Sequence, residues 1–178
     1  MRSRIVTCVA VFAALALGAG AVAAGAPPTK PKPPAAKPKP RGASPKKLQD
    51  RVLFAVMTGR KEVDANGRRG AGDPNGRGSF TAIVDGTKLC FGITVKDLGA
   101  APVAAHIHGP ARPNQNADIV VPLSAPSTGD PGASSGCVDV DAALAQAILK
   151  NPRKYYANVH TSQFPAGAVR GQLSRKSN

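Results

Sequence analysis

Apolar and polar residues alternate in short runs from about residue 50 onward, a pattern typical of half-buried β-strands. In the clearest run, Leu89, Phe91, Ile93 and Val95 share one face of a predicted strand. The alternation predicts strands at residues 52–57, 79–84, 89–95, 103–108, 119–123, 155–161 and 168–173, and a short strand around Val138 and Val140. Strands at this spacing, separated by Gly-, Pro- and Asp-rich turns, favour an all-β antiparallel sandwich or barrel.

One stretch departs from the alternation. Residues 142–150 carry Leu144, Ile148 and Leu149 at helical spacing, and Asp141 precedes them as an N-cap. The Asn151-Pro152 pair ends the pattern because the residue before a proline avoids the helical conformation. The sequence therefore predicts one short helix within the β domain, which we place at residues 48–174.

The first 26 residues have the composition of a signal peptide. Arg2 and Arg4 precede an apolar run, and small residues follow, with Ala21-Val22-Ala23 as a cleavage site. The alternative is an uncleaved membrane anchor, since the apolar stretch approaches spanning length when it is counted on to Ala24. Cleavage is the favoured interpretation because small residues near its end suit signal peptidase. The sequence thus predicts a secreted or cell-envelope protein.

Residues 27–47 contain eight prolines and seven Lys or Arg residues and have no apolar periodicity. Such a segment cannot bury enough surface to offset its ordering entropy, so we expect a disordered, extended linker. A basic linker of this kind suits contact with anionic cell-envelope polymers or a membrane surface, and a passive spacer is the alternative. Residues 175–178 form a short tail.

The formal net charge of +14 comes mostly from the segments outside the domain. Between residues 48 and 174 there are 13 Lys and Arg residues and ten Asp and Glu residues, which leaves a net charge of +3. Basic residues interleaved with aromatic ones, the pattern expected for base stacking, do not occur in the domain. The composition therefore argues against a specific nucleic-acid partner.

Cysteine usage agrees with export. Cys8 belongs to the signal peptide, which leaves Cys90 and Cys137 as an even pair in an oxidising compartment. On their predicted strands both lie opposite the apolar face, so they can form a cross-strand disulfide if the two strands are neighbours.

All three histidines fall in the domain, at His106, His108 and His160. His106 and His108 are two apart on one predicted strand, so both side chains lie on the same face. Three imidazoles form a sufficient ligand set for copper or zinc. The polar residues Asn158, Arg170 and Gln172 join this face if the strands pair with polar faces aligned. The alternative interpretation is a structural hydrogen-bond network without a metal.

Arg170 has two interpretations of its own, an anion or substrate contact, or a clamp on neighbouring carbonyl groups or on a carboxylate such as Asp97. The clamp is the favoured interpretation because a buried guanidinium group readily makes paired hydrogen bonds.

Residue arrangements typical of a catalytic site are scarce. Ser134 and Ser135 have no nucleophile motif around them, and the acidic residues lie mostly in turns. The sequence favours a module that is not an enzyme, with no assigned catalytic residue.

Three segments carry a distinctive pattern: AAHIHGP at residues 104–110, DIVVPL at residues 118–123, and the long ending at residues 148–173. They resemble the central His-x-His strand, the following element and the ending of the CHRD (chordin-type) domain family. Residues 70–76 and Cys90 resemble its exported bacterial members. The loop at residues 110–116, PARPNQN, departs from the glycine-rich turn of many members.

The resemblance implies an extracellular binding or interaction module. The family takes its name from chordin, an extracellular antagonist of growth factors, but that ligand does not transfer to this chain, so the partner is an unknown extracellular ligand or protein. A second and weaker likeness links the His-x-His strand to the copper-binding strand of copper/zinc superoxide dismutases. Those enzymes use further histidines, so a dismutase-like activity is a variant of the metal-site hypothesis.

Overall fold

The structure, a computed structural model, describes residues 49–175. The predicted signal peptide, the predicted linker and residues 176–178 lie outside this range. The described chain has eight strands and one α-helix. In chain order these are β1 Val52–Thr58, β2 Arg77–Asp85, β3 Lys88–Lys96, β4 Pro102–His108, β5 Ile119–Leu123, β6 Gly132–Asp139, α1 Ala142–Lys150, β7 Tyr156–Thr161 and β8 Val169–Gln172. Single 3-10 turns follow β1 at Gly59–Lys61 and α1 at Pro152–Lys154.

All eight strands belong to one antiparallel sheet with the order β5-β4-β7-β8-β1-β2-β3-β6. The sheet curls until its two edges meet, because Ser134 of β6 donates a hydrogen bond of 2.8 Å to the carbonyl of Ser124, just after β5. The result is a nearly closed barrel, which confirms the predicted all-β antiparallel class. A nearly closed sheet also leaves little unpaired edge.

The core fills the inside of this barrel. The alternating apolar residues of β1, β2 and β3 pack against those of β4, β7 and β8 in one cluster, with Leu53, Phe80 and Ile107 fully buried. Helix α1 begins after Asp141, whose carboxylate accepts from the amides of Ala143 and Leu144, as expected of an N-cap. The helix adds Ala145 and Ile148 to the same core.

The disulfide joins Cys90 of β3 to Cys137 of β6, which lie directly opposite each other in the register. Both lie on the outer face, since Leu89 and Phe91 on either side of Cys90 point into the core. The predicted cross-strand disulfide is thus confirmed. The bridge closes a sequence separation of 47 residues and ties strand β6 to the body of the sheet.

Strand β6 is longer than the sequence predicted. It runs over Gly132–Asp139, whereas apolar alternation marked only the region of Val138 and Val140. Its first residues are small or polar and mostly exposed, so they carry no hydrophobic signal. Pairing with β3 along eight residues makes this segment a strand regardless of its composition.

Within the described part of the chain, no helix is long and apolar enough to span a bilayer.

Candidate metal site

The polar side chains of β4, β7 and β8 lie on the outer face of the barrel. Asn158 on the middle strand is opposite His106 on one side and Arg170 on the other. Because side chains alternate along a strand, the intervening residues Ile107 and Val159 point into the core. In the next row, Tyr156 of β7 lies opposite His108 and Gln172. The structure therefore brings together the six polar residues that the sequence placed on one face.

Two loops cover this face and bury it. The first loop comprises residues 59–76 and the second comprises residues 109–118. The Asn116 side-chain amide joins them by donating to the carbonyl oxygens of Val63 and Asp64, at 3.3 and 3.1 Å. The cover explains why Asn158 and Arg170, which project away from the core, are only 2 % and 1 % exposed.

The three imidazoles lie close together on this face. One ring nitrogen from each of His106, His108 and His160 lies within 4.8 Å of the other two. The nearest pair is Nδ1 of His106 and Nε2 of His160, 3.1 Å apart. Because the three histidines come from two neighbouring strands, the sheet itself fixes their backbone positions.

Backbone carbonyl groups set the tautomers of two rings. Nδ1 of His108 lies 2.8 Å from the carbonyl oxygen of Ala117, and Nδ1 of His160 lies 2.9 Å from that of Pro165. A carbonyl oxygen can only accept, so each Nδ1 carries the hydrogen and each Nε2 keeps its lone pair when the ring is neutral. Nδ1 of His106 is then the donor to His160. Such outer hydrogen bonds are those that orient metal-binding histidines in proteins.

The surroundings keep His106 and His108 uncharged. Burial, reinforced by the proximity of His160 and His108, lowers the pKa of His106 to about 4. Burial is also the main reason that the pKa of His108 falls below its usual value. Neutral imidazole is the form that binds a metal ion, so His106 and His108 are kept in the metal-binding form at neutral pH.

Tyr156 connects the histidines to Arg170. The His108 ring stacks on the Tyr156 ring with centroids 4.8 Å apart, and the Arg170 guanidinium carbon lies 3.4 Å from the Tyr156 ring centroid. Since β7 runs between β4 and β8, the tyrosine ring separates the imidazole from the guanidinium. The Tyr156 hydroxyl accepts a hydrogen bond from the Ala117 amide, next to the carbonyl that orients His108.

Arg170 and Gln172 hold the second loop on the sheet. Arg170 donates to the carbonyl oxygen of Gln115 at 2.7 Å and to the side-chain oxygen of Asn116 at 3.2 Å. Gln172 donates to the carbonyl oxygens of Ala111 and Arg153, both at 2.9 Å. The structure therefore shows Arg170 as a clamp on loop carbonyl groups. Asp97, the carboxylate considered from the sequence, instead pairs with Lys96.

Glu62 is a buried acid that the sequence analysis missed. It is 2 % exposed, and burial raises the pKa of its carboxyl group to about 7 despite the opposing effects of Arg170 and Asn158. A Cβ atom at Gly167, where φ is +141°, would lie 2.5 Å from this carboxyl carbon, so the close approach requires glycine. Glu62 is the sole glutamate of the sequence, but its Lys-Glu-Val context gave no sign of burial.

Three buried side-chain atoms in the described chain lack a hydrogen-bond partner, and all three belong to this site. They are His108 Nε2, Asn158 Oδ1 and Glu62 Oε2. The Asn158 side chain is close enough to influence the pKa of both His108 and Glu62, so the three groups are neighbours. The His108 nitrogen and the Asn158 oxygen are acceptors, and the Glu62 oxygen is an acceptor when it carries no proton. Unpaired buried acceptors of this kind point to a missing donor or cation.

Comparison with protein families identifies the domain. The family model described as CHRD domain matches residues 53–173, which span every strand except for the first residue of β1, and include all three histidines and both cysteines of the disulfide. A comparison with curated proteins gives no match.

Proposed function

Since the chain belongs to the CHRD domain family, we propose that it is a non-enzymatic, extracytoplasmic binding module that holds a copper or zinc ion through His106, His108 and His160. Family membership supports the module, and the geometry of the polar face supports the metal site. The exposed disulfide between Cys90 and Cys137 supports an oxidising location outside the cytosol.

One observation carries the metal proposal. Nε2 of His108 is buried, keeps its lone pair because Nδ1 faces a carbonyl group, and lies near the Asn158 side chain without a hydrogen bond to any described residue. An unpaired buried nitrogen is unfavourable unless something binds it, and the ring nitrogens of His106 and His160 converge with it. A metal ion would bind one nitrogen of each ring once the hydrogen on Nδ1 of His106 moves to the other nitrogen of that ring, because Nδ1 otherwise donates to His160.

The donor set limits which ions fit. Neutral imidazole suits zinc and copper, whereas calcium and magnesium prefer oxygen ligands. In a tetrahedral site with Zn–N distances of roughly 2.0–2.1 Å, ligand nitrogens lie roughly 3.3 Å apart. The nitrogens of His106 and His160 are already 3.1 Å apart. The usual order of affinities favours Cu²⁺ over Zn²⁺ at such a site.

The competing function is a purely structural network, in which the histidines only support the covering loops. The two interpretations differ in one respect that can be measured. A structural network requires no ion, so added metal should leave its imidazole signals and stability unchanged. A metal site should bind one ion per chain and become more stable through that binding.

We expect the full chain, prepared without a histidine tag, to bind one Cu²⁺ with nitrogen hyperfine coupling in its electron paramagnetic resonance spectrum, and Zn²⁺ more weakly. The chain has just three histidines, so every imidazole signal reports this site. His106→Gln, His108→Gln and His160→Gln should each weaken Cu²⁺ binding by about tenfold or more, because each removes one ligand.

Gln163→Ala is the matched control, since Gln163 is an exposed polar residue that follows β7 outside the cluster. It should bind copper as the parent does. Binding that survives in all three histidine variants would place the metal elsewhere and overturn the proposal, as would the absence of stoichiometric binding. A thermal melt of each variant confirms that it is folded.

A dismutase-like activity rests on the His-x-His likeness alone. Three histidines are too few for a two-metal centre of that kind. A superoxide assay of the copper-loaded chain against the copper-loaded His108→Gln variant tests it, and equal rates would exclude a role for this site.

The basic linker is proposed as the part that retains the protein at anionic cell-envelope polymers or a membrane surface. Its seven Lys and Arg residues over 21 positions support this. A cluster of charges of one sign attracts an anionic surface that lies within about one Debye length. Deleting residues 27–47 should release the protein from cells into the medium, as measured by fractionation. Unchanged retention would count against the proposal, and a variant with the linker lysines and Arg41 changed to glutamine separates charge from length.

A further inference from the structure

A second site lies beside the histidine cluster but does not include it. A cavity of about 260 Å³ opens between the two covering loops and the sheet. Its lining residues are Lys61, Arg69, Pro113, Asn114, Arg170 and Gln172. None of the three histidines lines it, so its chemistry is separate from that of the metal site.

The cavity concentrates positive charge without a counter-ion. Lys61, Arg69 and Arg170 all line it, and among residues 49–175 none of the three is within ion-pair distance of a carboxylate. Glu62, whose charge acts on Arg170, does not line the cavity and is about half protonated near pH 7. Burial and the charge of Arg69 together lower the pKa of Lys61, which shows that the cations act on each other.

Repulsion of this kind is unfavourable in the empty cavity and is relieved when an anion enters. The geometry of the donors narrows the choice of anion. Arg170 is held by two hydrogen bonds and by Tyr156, so its position is fixed before a ligand arrives. Gln172 uses its amide nitrogen for two carbonyl groups, so it shapes the wall of the cavity. Lys61 donates to the carbonyl oxygen of Val56 and keeps two further ammonium hydrogens for a ligand.

We propose that this cavity binds a phosphate group, either as inorganic phosphate or as a phosphate monoester. A doubly charged tetrahedral oxyanion offsets more of the positive charge than a carboxylate does. Its several oxygens can also accept from two guanidinium groups and an ammonium group at once. The volume exceeds that of a single phosphate group, which leaves room for the first atoms of an ester.

The test follows the backbone amide and arginine Nε signals of the full, ¹⁵N-labelled chain by NMR as inorganic phosphate is added. Signals of Lys61, Arg69 and Asn114 should shift saturably. Residue-specific signals separate this site from the basic linker, which also attracts anions. A parallel titration with glycerol phosphate distinguishes the two forms of the ligand. The form that binds more tightly, phosphate monoester or inorganic phosphate, is the one that the cavity prefers.

Arg69→Gln and Lys61→Gln should each weaken phosphate binding about tenfold, the loss expected for one charge-assisted hydrogen bond. Arg69 is exposed, so its replacement should leave the fold intact. Arg60→Gln is the matched control, since Arg60 is a neighbouring exposed arginine that does not line the cavity. Its affinity should be unchanged.

Three results would overturn the proposal: no saturable shift at the cavity, the same shifts with sodium acetate at equal ionic strength, or unchanged affinity in Arg69→Gln. None of them depends on metal binding, because the titration is made with a chelator present. Failure of this site and failure of the histidine site are therefore distinguishable.

Discussion

Replacing Arg170 by alanine is expected to destabilise the domain by about 3–5 kcal/mol, the loss expected for two charge-assisted hydrogen bonds and one cation–π contact of a buried guanidinium group. The side chain is 1 % exposed and makes hydrogen bonds to Gln115 and Asn116 on the second loop. Its removal leaves the Gln115 carbonyl and the Tyr156 ring face without their partner. The contact with Gln115 is part-buried and Gln115 itself is exposed, so water replaces only some of the lost hydrogen bonding.

Urea unfolding of the parent and Arg170→Ala measures this loss. Arg77→Ala is the matched control, because Arg77 also donates to backbone carbonyl groups but is exposed. Arg77→Ala should lower the free energy of unfolding by less than about 1 kcal/mol. Arg170→Lys should recover only part of the stability, since an ammonium group cannot reproduce the planar fork.

Amide hydrogen exchange measures locally whether Arg170 holds the second loop on the sheet. If Arg170 holds the second loop, the amide of Ala117 should exchange faster in Arg170→Ala, well before global unfolding. A loss below about 1 kcal/mol, or unchanged exchange at Ala117, would show that the loop is held by Gln172 and Asn116 instead.

The second large effect concerns pH and the buried acid Glu62. Its pKa of about 7 in the folded chain lies above the roughly 4.3 expected when the chain is unfolded. Between these values the folded state binds a proton that the unfolded state has lost. The contribution of Glu62 to stability is therefore fully present below about pH 4.3 and is lost as pH rises through 7, by about 3 kcal/mol.

His106 acts in the opposite direction. Its pKa of about 4 in the folded chain lies below the roughly 6.5 of unfolded histidine. Here the unfolded state binds the extra proton, so this contribution is present above about pH 6.5 and is lost as pH falls through 4. Because the ring is half-buried, we reduce the expected size to about 2 kcal/mol.

Glu62 and His106 offset each other between pH 4.5 and 6.5, and the lowered pKa of His108 adds to the effect of His106. The parent is therefore expected to show only a modest rise in stability across this range. Glu62→Gln should match the parent near pH 4, where Glu62 is protonated, and be about 3 kcal/mol more stable at pH 8. Denaturant midpoints at several pH values measure this. Asp139→Asn, which alters an exposed carboxylate, is the control, and parallel profiles for the parent and Glu62→Gln would contradict the expectation.

Much of the fold could be predicted from the local pattern of the sequence. Residues 89–95 alternate cleanly because strand β3 has one face in the core, and helix α1 has the predicted bounds because Asp141 and Pro152 mark its ends. Strand β6 was under-predicted because an exposed outer strand of small polar residues has no hydrophobic period. Pairing with β3, a non-local effect, makes it a strand.

The candidate site, like the fold, could be predicted only in part from the sequence. The two-residue period of a single strand is enough to place His106 with His108, and Asn158 with His160, on a shared face. That period says nothing about which strands are neighbours or which loops lie above them. The positions of Glu62, Gln115 and Asn116 over the sheet therefore could not be predicted, nor could the cationic cavity at Lys61 and Arg69.

The sequence by itself determined the class of fold, the cysteine pair and the polar face, because each of these depends on residue type and the two-residue period of a strand. Tertiary structure alone decided that the polar face is buried, that His108 Nε2 has no partner, and that three cations share one cavity. These properties depend on contacts between segments far apart in the chain, such as Asn116 with Val63 and Arg170 with Gln115. Local residue patterns do not encode such contacts, and burial of the polar face is what shifts the pKa values and leaves groups open to a ligand.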